Sequence, residues 1–322
     1  MKKLPHYYLA KPDDWYCRKG AKPNQYHAQV LTAIDLNDRL PIQTPGFAFL
    51  GFACDEGVKR NDGREGARQG PKAFMEQFTG LPVRQADHLY DAGTVVCDDD
   101  LSLVQEALGT GVERLLKAGL TPLVIGGGHE TAWGHYQGIE KFLGNQSLAI
   151  INFDAHFDLR PIPKDNVGTS GTPFRQIAMK CKKGKKAFDY YCFGIQQNAN
   201  TKSLFSTAKK LNVEYVLAET MHQRGAEYFI PLIEKIADEH DAIYLSICMD
   251  VFSASIAPGV SAVQPFGLMP MQVLPLLKAI ASTKKVVSMD IVELAPKYDI
   301  HSQTSKLAAY LAAELINFLS FN

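Results

Sequence analysis

The chain has 322 residues, with 34 basic and 34 acidic side chains and no formal net charge. That balance gives no general attraction to nucleic acid or to an anionic membrane surface. No apolar run approaches the ~20 residues that span a bilayer, and the start, Met1 to Tyr8, lacks the apolar core and cleavage site of a secretory signal. The length suits one large domain or two modest ones, either able to bury a sizeable core. Six cysteines (17, 54, 97, 181, 192 and 248) are scattered with no Cys-x-x-Cys pair, so neither a zinc knuckle nor a disulfide framework is indicated. A soluble, reduced, cytoplasmic protein is expected.

Residues 1–45 are polar, contain Pro12, Pro23, Pro41 and Pro45, and are expected to form an N-terminal extension packed on the surface of a single domain, 46–322. From Gly46 the pattern changes. Phe47–Phe52 reads as a buried strand, followed by a glycine-rich loop from Asp55 to Gly70 and a short helix near Pro71–Phe78. A second strand ends at Tyr90–Gly93. Asp98, Asp99 and Asp100 precede a helix over 101–118, and helix capping explains this acidic triplet better than a calcium site. Strands are expected near 121–125, 150–153, 190–194, 214–217, 242–250 and 285–291. Helices are expected to 143, and near 173–180, 201–210, 225–239, 270–281 and 305–319. The lysines at 180, 182, 183, 185 and 186 read as a solvated connector. About eight strands separated by helices imply right-handed crossovers and a mostly parallel sheet covered by helices on both faces, an α/β fold.

The strand expected at 150–153 leads into the chemistry. Ile150-Ile151-Asn152-Phe153 is a β-branched, apolar run that ends in Asp154-Ala155-His156-Phe157-Asp158. If the extended geometry persists, Asp154, His156 and Asp158 point to one side just past the strand. Two carboxylates and an imidazole there suit a divalent metal, with manganese, zinc and cobalt all compatible. The competing reading is a polar loop whose Asp residues cap the next helix. Ligands of open parallel sheets bind beyond the carboxyl ends of the strands. Three further strand ends deliver metal-competent groups to that rim: His129 after Gly126-Gly127-Gly128, Asp250 after 242–249, and Glu293 after Asp290-Ile291-Val292.

Gly-Gly-Gly-His129-Glu130, Asp154-Ala-His156-Phe-Asp158, and Ser246 to Asp250 followed by Ala257-Pro258-Gly259 resemble the three signatures of the ureohydrolase (arginase/agmatinase) family, over roughly Gly46 to the C-terminus. The resemblance implies a three-layer α/β/α sandwich and a centre of two Mn(II) ions, which lowers the pKa of a bridging water to give a nucleophilic hydroxide. It places His129 and Asp158 on one metal, His156 and Asp250 on the other, and Asp154 between them as a catalytic bridge. Glu293 matches the carboxylate that accepts N–H bonds from an amidine or guanidine head. Residues 57–67, Asp158-Leu159-Arg160 and Ser170-Gly-Thr-Pro-Phe174 resemble the branch that hydrolyses N-formimidoyl-L-glutamate to glutamate and formamide in histidine degradation. A substrate with two carboxylates needs fixed cations, and arginine forks bind carboxylates bidentately. Arg160, Arg64 and Arg60, with Asn61 beside them, are expected at the site, and Arg175 near it.

Two departures stand out. Phe174 occupies the place of the proton-shuttling histidine of arginases, so no histidine shuttle is available there. Cys248 replaces the first Asp of Ser-x-Asp-x-Asp; a thiolate is a soft ligand in a site of oxygen and nitrogen donors. It permits a sulfur-bridged pair, a weakened second metal or a single-metal site. Hydrolysis of another guanidino or amidino compound is an alternative activity, and a catalytically impaired homologue with a binding role is another. The resemblance also implies a homo-oligomer and a small dicarboxylate partner, with no role for nucleic acid or membrane.

Overall fold

The structure, a computed structural model, describes residues 2–40, 45–84, 88–98 and 100–320. Pro41 and Asp99, which figure in the sequence reading, lie outside the described residues. Among the described residues one sheet of ten strands forms the middle layer. Its strands are β1 (Tyr7–Tyr8), β2 (Thr32–Ala33), β3 (Gly46–Ala53), β4 (Leu89–Val96), β5 (Leu120–Ile125), β6 (Leu148–Phe153), β7 (Asp189–Ile195), β8 (Glu214–Leu217), β9 (Ala242–Cys248) and β10 (Val286–Val292). The order is β1-β4-β3-β5-β10-β9-β6-β7-β8, with β2 also paired to β4. All pairings are parallel except β1 against β4.

The count exceeds the expected eight because two short strands come from the polar N-terminal segment. Tyr7–Tyr8 and Thr32–Ala33 carry no apolar alternation long enough to announce a strand; they form because β4 offers them its unpaired edge. β4 also runs past Gly93, where it was expected to end. Gly93 takes a left-handed φ of 76° and donates its N–H to Asp91, a bulge that shifts register without stopping the strand.

The helices are α1 (His27–Val30), α2 (Glu56–Arg60), α3 (Gly70–Phe78), α4 (Leu101–Lys117), α5 (Thr131–Leu143), α6 (Pro173–Gly184), α7 (Lys202–Lys210), α8 (Ala218–Arg224), α9 (Ile230–Glu239), α10 (Pro270–Ser282) and α11 (Gln303–Leu319). Asp100 accepts the N–H of Leu103 at the start of α4, as a capping aspartate does. The helix expected over 225–239 starts later, at Ile230, after a 3-10 turn at Glu227–Phe229; Pro231 stands in the first turn of α9, where its missing N–H costs nothing, and α8, which was not expected, is closed by Gly225 with φ 77°. α6 runs on through Lys180, Lys182 and Lys183 of the lysine cluster to Gly184, and Lys180 and Lys186 pair with Glu140.

Strand residues alternate between two cores. Phe49, Leu123, Ile151, Leu245 and Ile291 face α3, α9, α10 and α11. Leu50, Val124, Ile150, Tyr190 and Tyr244 face α4, α5, α6 and α7. A sheet buried on both faces explains why its strands read as near-continuous apolar runs. The three-layer α/β/α architecture follows. It sets β5, β10, β9 and β6 side by side, so their carboxyl ends meet at one rim.

Candidate active site

Each of those four strands delivers one group to the rim. His129 follows β5, Asp154 follows β6 directly, Asp250 lies two residues past β9, and Glu293 one past β10. His129 Nδ1 faces Asp154 Oδ2 at 2.9 Å and Asp158 Oδ2 at 3.0 Å. His156 Nδ1 faces Asp250 Oδ2 at 3.1 Å and Asp154 Oδ1 at 3.5 Å. Two clusters of metal-competent atoms result, His129–Asp154–Cys248 and Asp154–His156–Asp250, and Asp154 belongs to both.

The extended geometry that would align Asp154, His156 and Asp158 does not persist. The strand stops at Phe153. The backbone N–H of His156 then donates to Asp154 Oδ1 at 2.7 Å, a side-chain-closed turn, and Asp158 takes a left-handed φ of 49°. Convergence is reached by folding the segment back. Asp250 likewise lies in a 3-10 turn, Met249–Val251, beyond the strand that carries Ser246 and Cys248. Glu293 is left-handed too, at φ 64°. Non-glycine residues in this region cost on the order of 1–3 kcal/mol and persist where surroundings over-determine them. Here the N–H of Glu293 donates to Gly127 O at 2.7 Å and its Oε1 accepts the N–H of His129 at 2.8 Å.

A buried chain of polar side chains backs His129. Asp290 Oδ1 accepts the Ser246 hydroxyl at 2.7 Å, and Asp290 Oδ2 takes the Tyr244 hydroxyl and lies 2.8 Å from His135 Nδ1. With its one hydrogen donated to Asp290, Ser246 Oγ accepts from His129 Nε2, 3.0 Å away. That choice leaves Nδ1 as the nitrogen turned to the carboxylates, the one that would bind a metal in place of its proton. Phe174 packs edge-on against the other side of the same ring, at 5.2 Å between centroids. Asn152 donates to Asp154 Oδ2 at 3.1 Å and to the Tyr190 hydroxyl at 2.9 Å.

Burial would lower both imidazoles, yet the facing carboxylates, Asp154 and Asp158 for His129, Asp250 and Asp154 for His156, hold them well above their usual value. Burial also pulls against Asp154, and the two histidines that face it outweigh that and lower its carboxyl. Burial and the Asp154 charge push Asp158 up to about 6. Burial, with the charges of Asp154, Asp250 and Glu293, raises the Cys248 thiol well above its usual value. Burial, with the charges of Glu130 and Asp250, raises Glu293.

This donor set fits a divalent metal. His129 Nδ1 and Asp250 Oδ1 are buried without a directed hydrogen bond. Donors that share one ion at about 2.0–2.2 Å stand ~3 Å apart, which matches the His129–carboxylate spacing. Cys248 Sγ lies within 4.8 Å of the donor atoms of His129 and Asp154.

The clusters open into a cavity of about 290 Å³ lined by Asn61, Arg64, His156, Asp158, Arg160, Ser170, Asn200, Cys248, Asp250, Ser261 and Glu293.

The sequence profile of the arginase family matches residues 45–317. The chain belongs to the arginase family. It is 44% identical to a formimidoylglutamase of Legionella pneumophila (strain Lens) over 315 residues, covering 98% of each chain. The crystal structure of formimidoylglutamase from Bacillus subtilis superposes with a TM-score of 0.81 at 23% identity, over 94% of this chain and 95% of that one. A Trypanosoma cruzi formiminoglutamase solved with manganese gives a TM-score of 0.76 at 24% identity, over 89% and 99%.

Within this arginase-family frame, the arginines expected at the site divide. Arg64 and Arg160 line the cavity, as does Asn61. Arg64 Nε and Nη2 donate to the carbonyls of Ser261 and Val260, at 2.8 and 2.7 Å, and its guanidinium lies 4.3 Å from the Tyr298 ring centre. Arg60 is not brought to the cavity. Its guanidinium pairs with Asp165 at 2.5 Å and donates to the carbonyls of Gly168 and Val167, because α2 turns it outward toward that loop. Arg175, in α6, does not line the cavity either. Sequence reasoning missed Asn200, Ser170 and Ser261. Asn200 is buried and spans Phe157 N and Ala155 O, bracing the metal-motif turn from beyond the end of β7. Its signal was only a polar stretch after a strand, a pattern shared by ordinary turns.

Proposed function

We propose that this chain hydrolyses N-formimidoyl-L-glutamate to L-glutamate and formamide at a centre of two manganese ions per chain. The observation that carries the reading is the pair of donor clusters sharing Asp154 at the floor of a cavity rimmed by Arg64 and Arg160. Near-full-length identity to formimidoylglutamase supports the substrate. His129, Asp158 and Cys248 would hold one ion, His156 and Asp250 the other, and Asp154 both. When bound, the metals supply Lewis acidity and make hydroxide available near neutral pH.

The chain's own groups do the rest. The Glu293 Oε2 is buried and unpaired, while Oε1 is held by the His129 N–H, so the carboxylate is aimed before substrate arrives. It accepts N–H bonds from the planar amidine and turns the formimidoyl carbon toward the clusters. Arg64 keeps donors free beyond the two it spends on carbonyls, and with Arg160 and Asn61 it receives the two carboxylates. Water contributes the oxygen of formamide, and the bond between the formimidoyl carbon and the glutamate nitrogen breaks. Phe174 moves no proton; it holds the His129 ring.

Purified protein should release formamide from N-formimidoyl-L-glutamate when loaded with manganese, with close to two metals per chain by elemental analysis. Turnover with one metal would keep the substrate and discard the two-metal assignment. No turnover in folded, metal-loaded protein would remove the reading.

A further inference from the structure

Glu130 is buried without exposed surface and heads α5, yet its side chain does not cap that helix. Its backbone is anchored by Gln105, which donates to its carbonyl at 2.7 Å. Its Oε1 instead accepts the N–H of Gly57, 73 residues away, at 3.0 Å in a buried bond. The fit leaves no room for a side chain at two glycines. A Cβ at Gly57 would stand 2.4 Å from Glu130 Cδ and 2.6 Å from its Cβ; one at Gly128 would stand 2.1 Å from Oε2.

Gly57 is a junction. Its carbonyl accepts the N–H of Asn61 at 3.1 Å within α2 and that of Ser170 at 2.9 Å from the loop that precedes α6. That loop in turn holds Arg160, whose N–H donates to Gly171 O at 2.9 Å. Asn61, Arg64, Arg160 and Ser170 all line the cavity. One buried carboxyl therefore stands behind both walls that carry cations, and it sits outside the two donor clusters.

We infer that Glu130 is a positioning residue: through Gly57 it ties the segment 55–66 and the loop 168–172 to the amino end of α5, and so sets the spacing of Asn61, Arg64 and Arg160 that a dicarboxylate requires. The substrate half of this inference rests on the function proposed above; the structural half does not. Because the bond is buried and joins segments far apart in sequence, its loss frees a loop without removing any group that contacts substrate or metal.

Hydrogen–deuterium exchange on the manganese-loaded protein without substrate tests the structural half. Glu130→Ala should speed exchange across 55–66 by about tenfold or more while α4 and β6 keep their protection. Glu130→Gln retains an acceptor for the Gly57 N–H and should stay within about threefold of wild type. Gly57→Ala approaches from the other side: alanine favours helices over glycine, yet here it should loosen 55–66, because its methyl displaces Glu130. It decides the matter if Glu130→Ala does not fold. With N-formimidoyl-L-glutamate, Glu130→Ala and Gly57→Ala should raise KM by about tenfold, with kcat and bound manganese near wild type, and Glu130→Gln should restore KM. Unchanged exchange in folded Glu130→Ala or Gly57→Ala, or lost manganese with unchanged KM, would overturn the inference. Wild-type protein that ignores this substrate would defeat the functional reading while the exchange data still decide the positioning role.

Discussion

Ser246→Ala probes the buried chain behind His129. The hydroxyl links His129 Nε2, at 3.0 Å, to Asp290 Oδ1, at 2.7 Å. Its removal strands one donor and one acceptor, on side chains that are both buried. A buried polar group left unpaired costs about 1–3 kcal/mol, so with two stranded the variant should lose roughly 2–6 kcal/mol of stability. That is a large share of the 5–15 kcal/mol typical of a folded domain, and still leaves it folded in most of the range. The second effect falls on the metal. Without a partner, the His129 ring no longer has its Nε2–H fixed, and the tautomer with a bare Nδ1 loses its advantage. Outer partners of this kind are worth about 10–100-fold in metal affinity. Equilibrium urea unfolding of metal-free protein measures the first effect, and manganese titration calorimetry the second. Asp290→Asn serves as the control: it keeps one acceptor for Ser246, so manganese affinity should fall less than in Ser246→Ala even though stability falls. Wild-type manganese affinity in folded Ser246→Ala would refute the reasoning, because no other hydrogen bond among the described residues orients Nε2.

Further expectations concern separate parts of the molecule. Arg160→Ala should raise KM for N-formimidoyl-L-glutamate by about tenfold or more, from loss of a charge-assisted contact; Arg60→Ala should leave KM near wild type, since its guanidinium is occupied by Asp165 and two carbonyls. Steady-state kinetics of the two variants side by side separates them. Cys248→Asp replaces a soft donor by a hard one beside His129 and Asp154 and should tighten manganese binding, read as metal retained per chain after dialysis against limiting manganese; unchanged retention would place the sulfur outside the donor set. His27, stacked on Phe78 at 4.4 Å, is held by burial at about 4, below its ordinary 6.5. The unfolded chain therefore takes up the proton first, and stability present above pH 6.5 drains away as pH falls toward 4. Linkage sets the loss between pH 7 and 5 at about 2 kcal/mol. His27→Phe keeps the stacked ring and should unfold in urea with that much less difference between the two pH values.

Much of the fold was legible because a parallel sheet buried on both faces writes each strand as a near-continuous apolar run, and β3, β5, β6, β9 and β10 are mostly apolar, with only an isolated polar residue or two in the last four. The candidate site residues stood out for a related reason: His129, Asp154, Asp250 and Glu293 each follow such a run within a few residues, where a side chain leaves the sheet and meets the rim. Strand order was not written locally. That β10 lies between β5 and β9, so that Glu293 stands beside His129, is settled by packing among elements far apart in the chain. The same holds for the turn that brings His156 onto Asp154, for the outward swing of Arg60, and for the bond from Glu130 to Gly57. Sequence spacing encodes which groups a short segment can present, because local backbone geometry has few solutions. Which of them meet depends on long-range contacts that exist only once the chain has closed around its two cores.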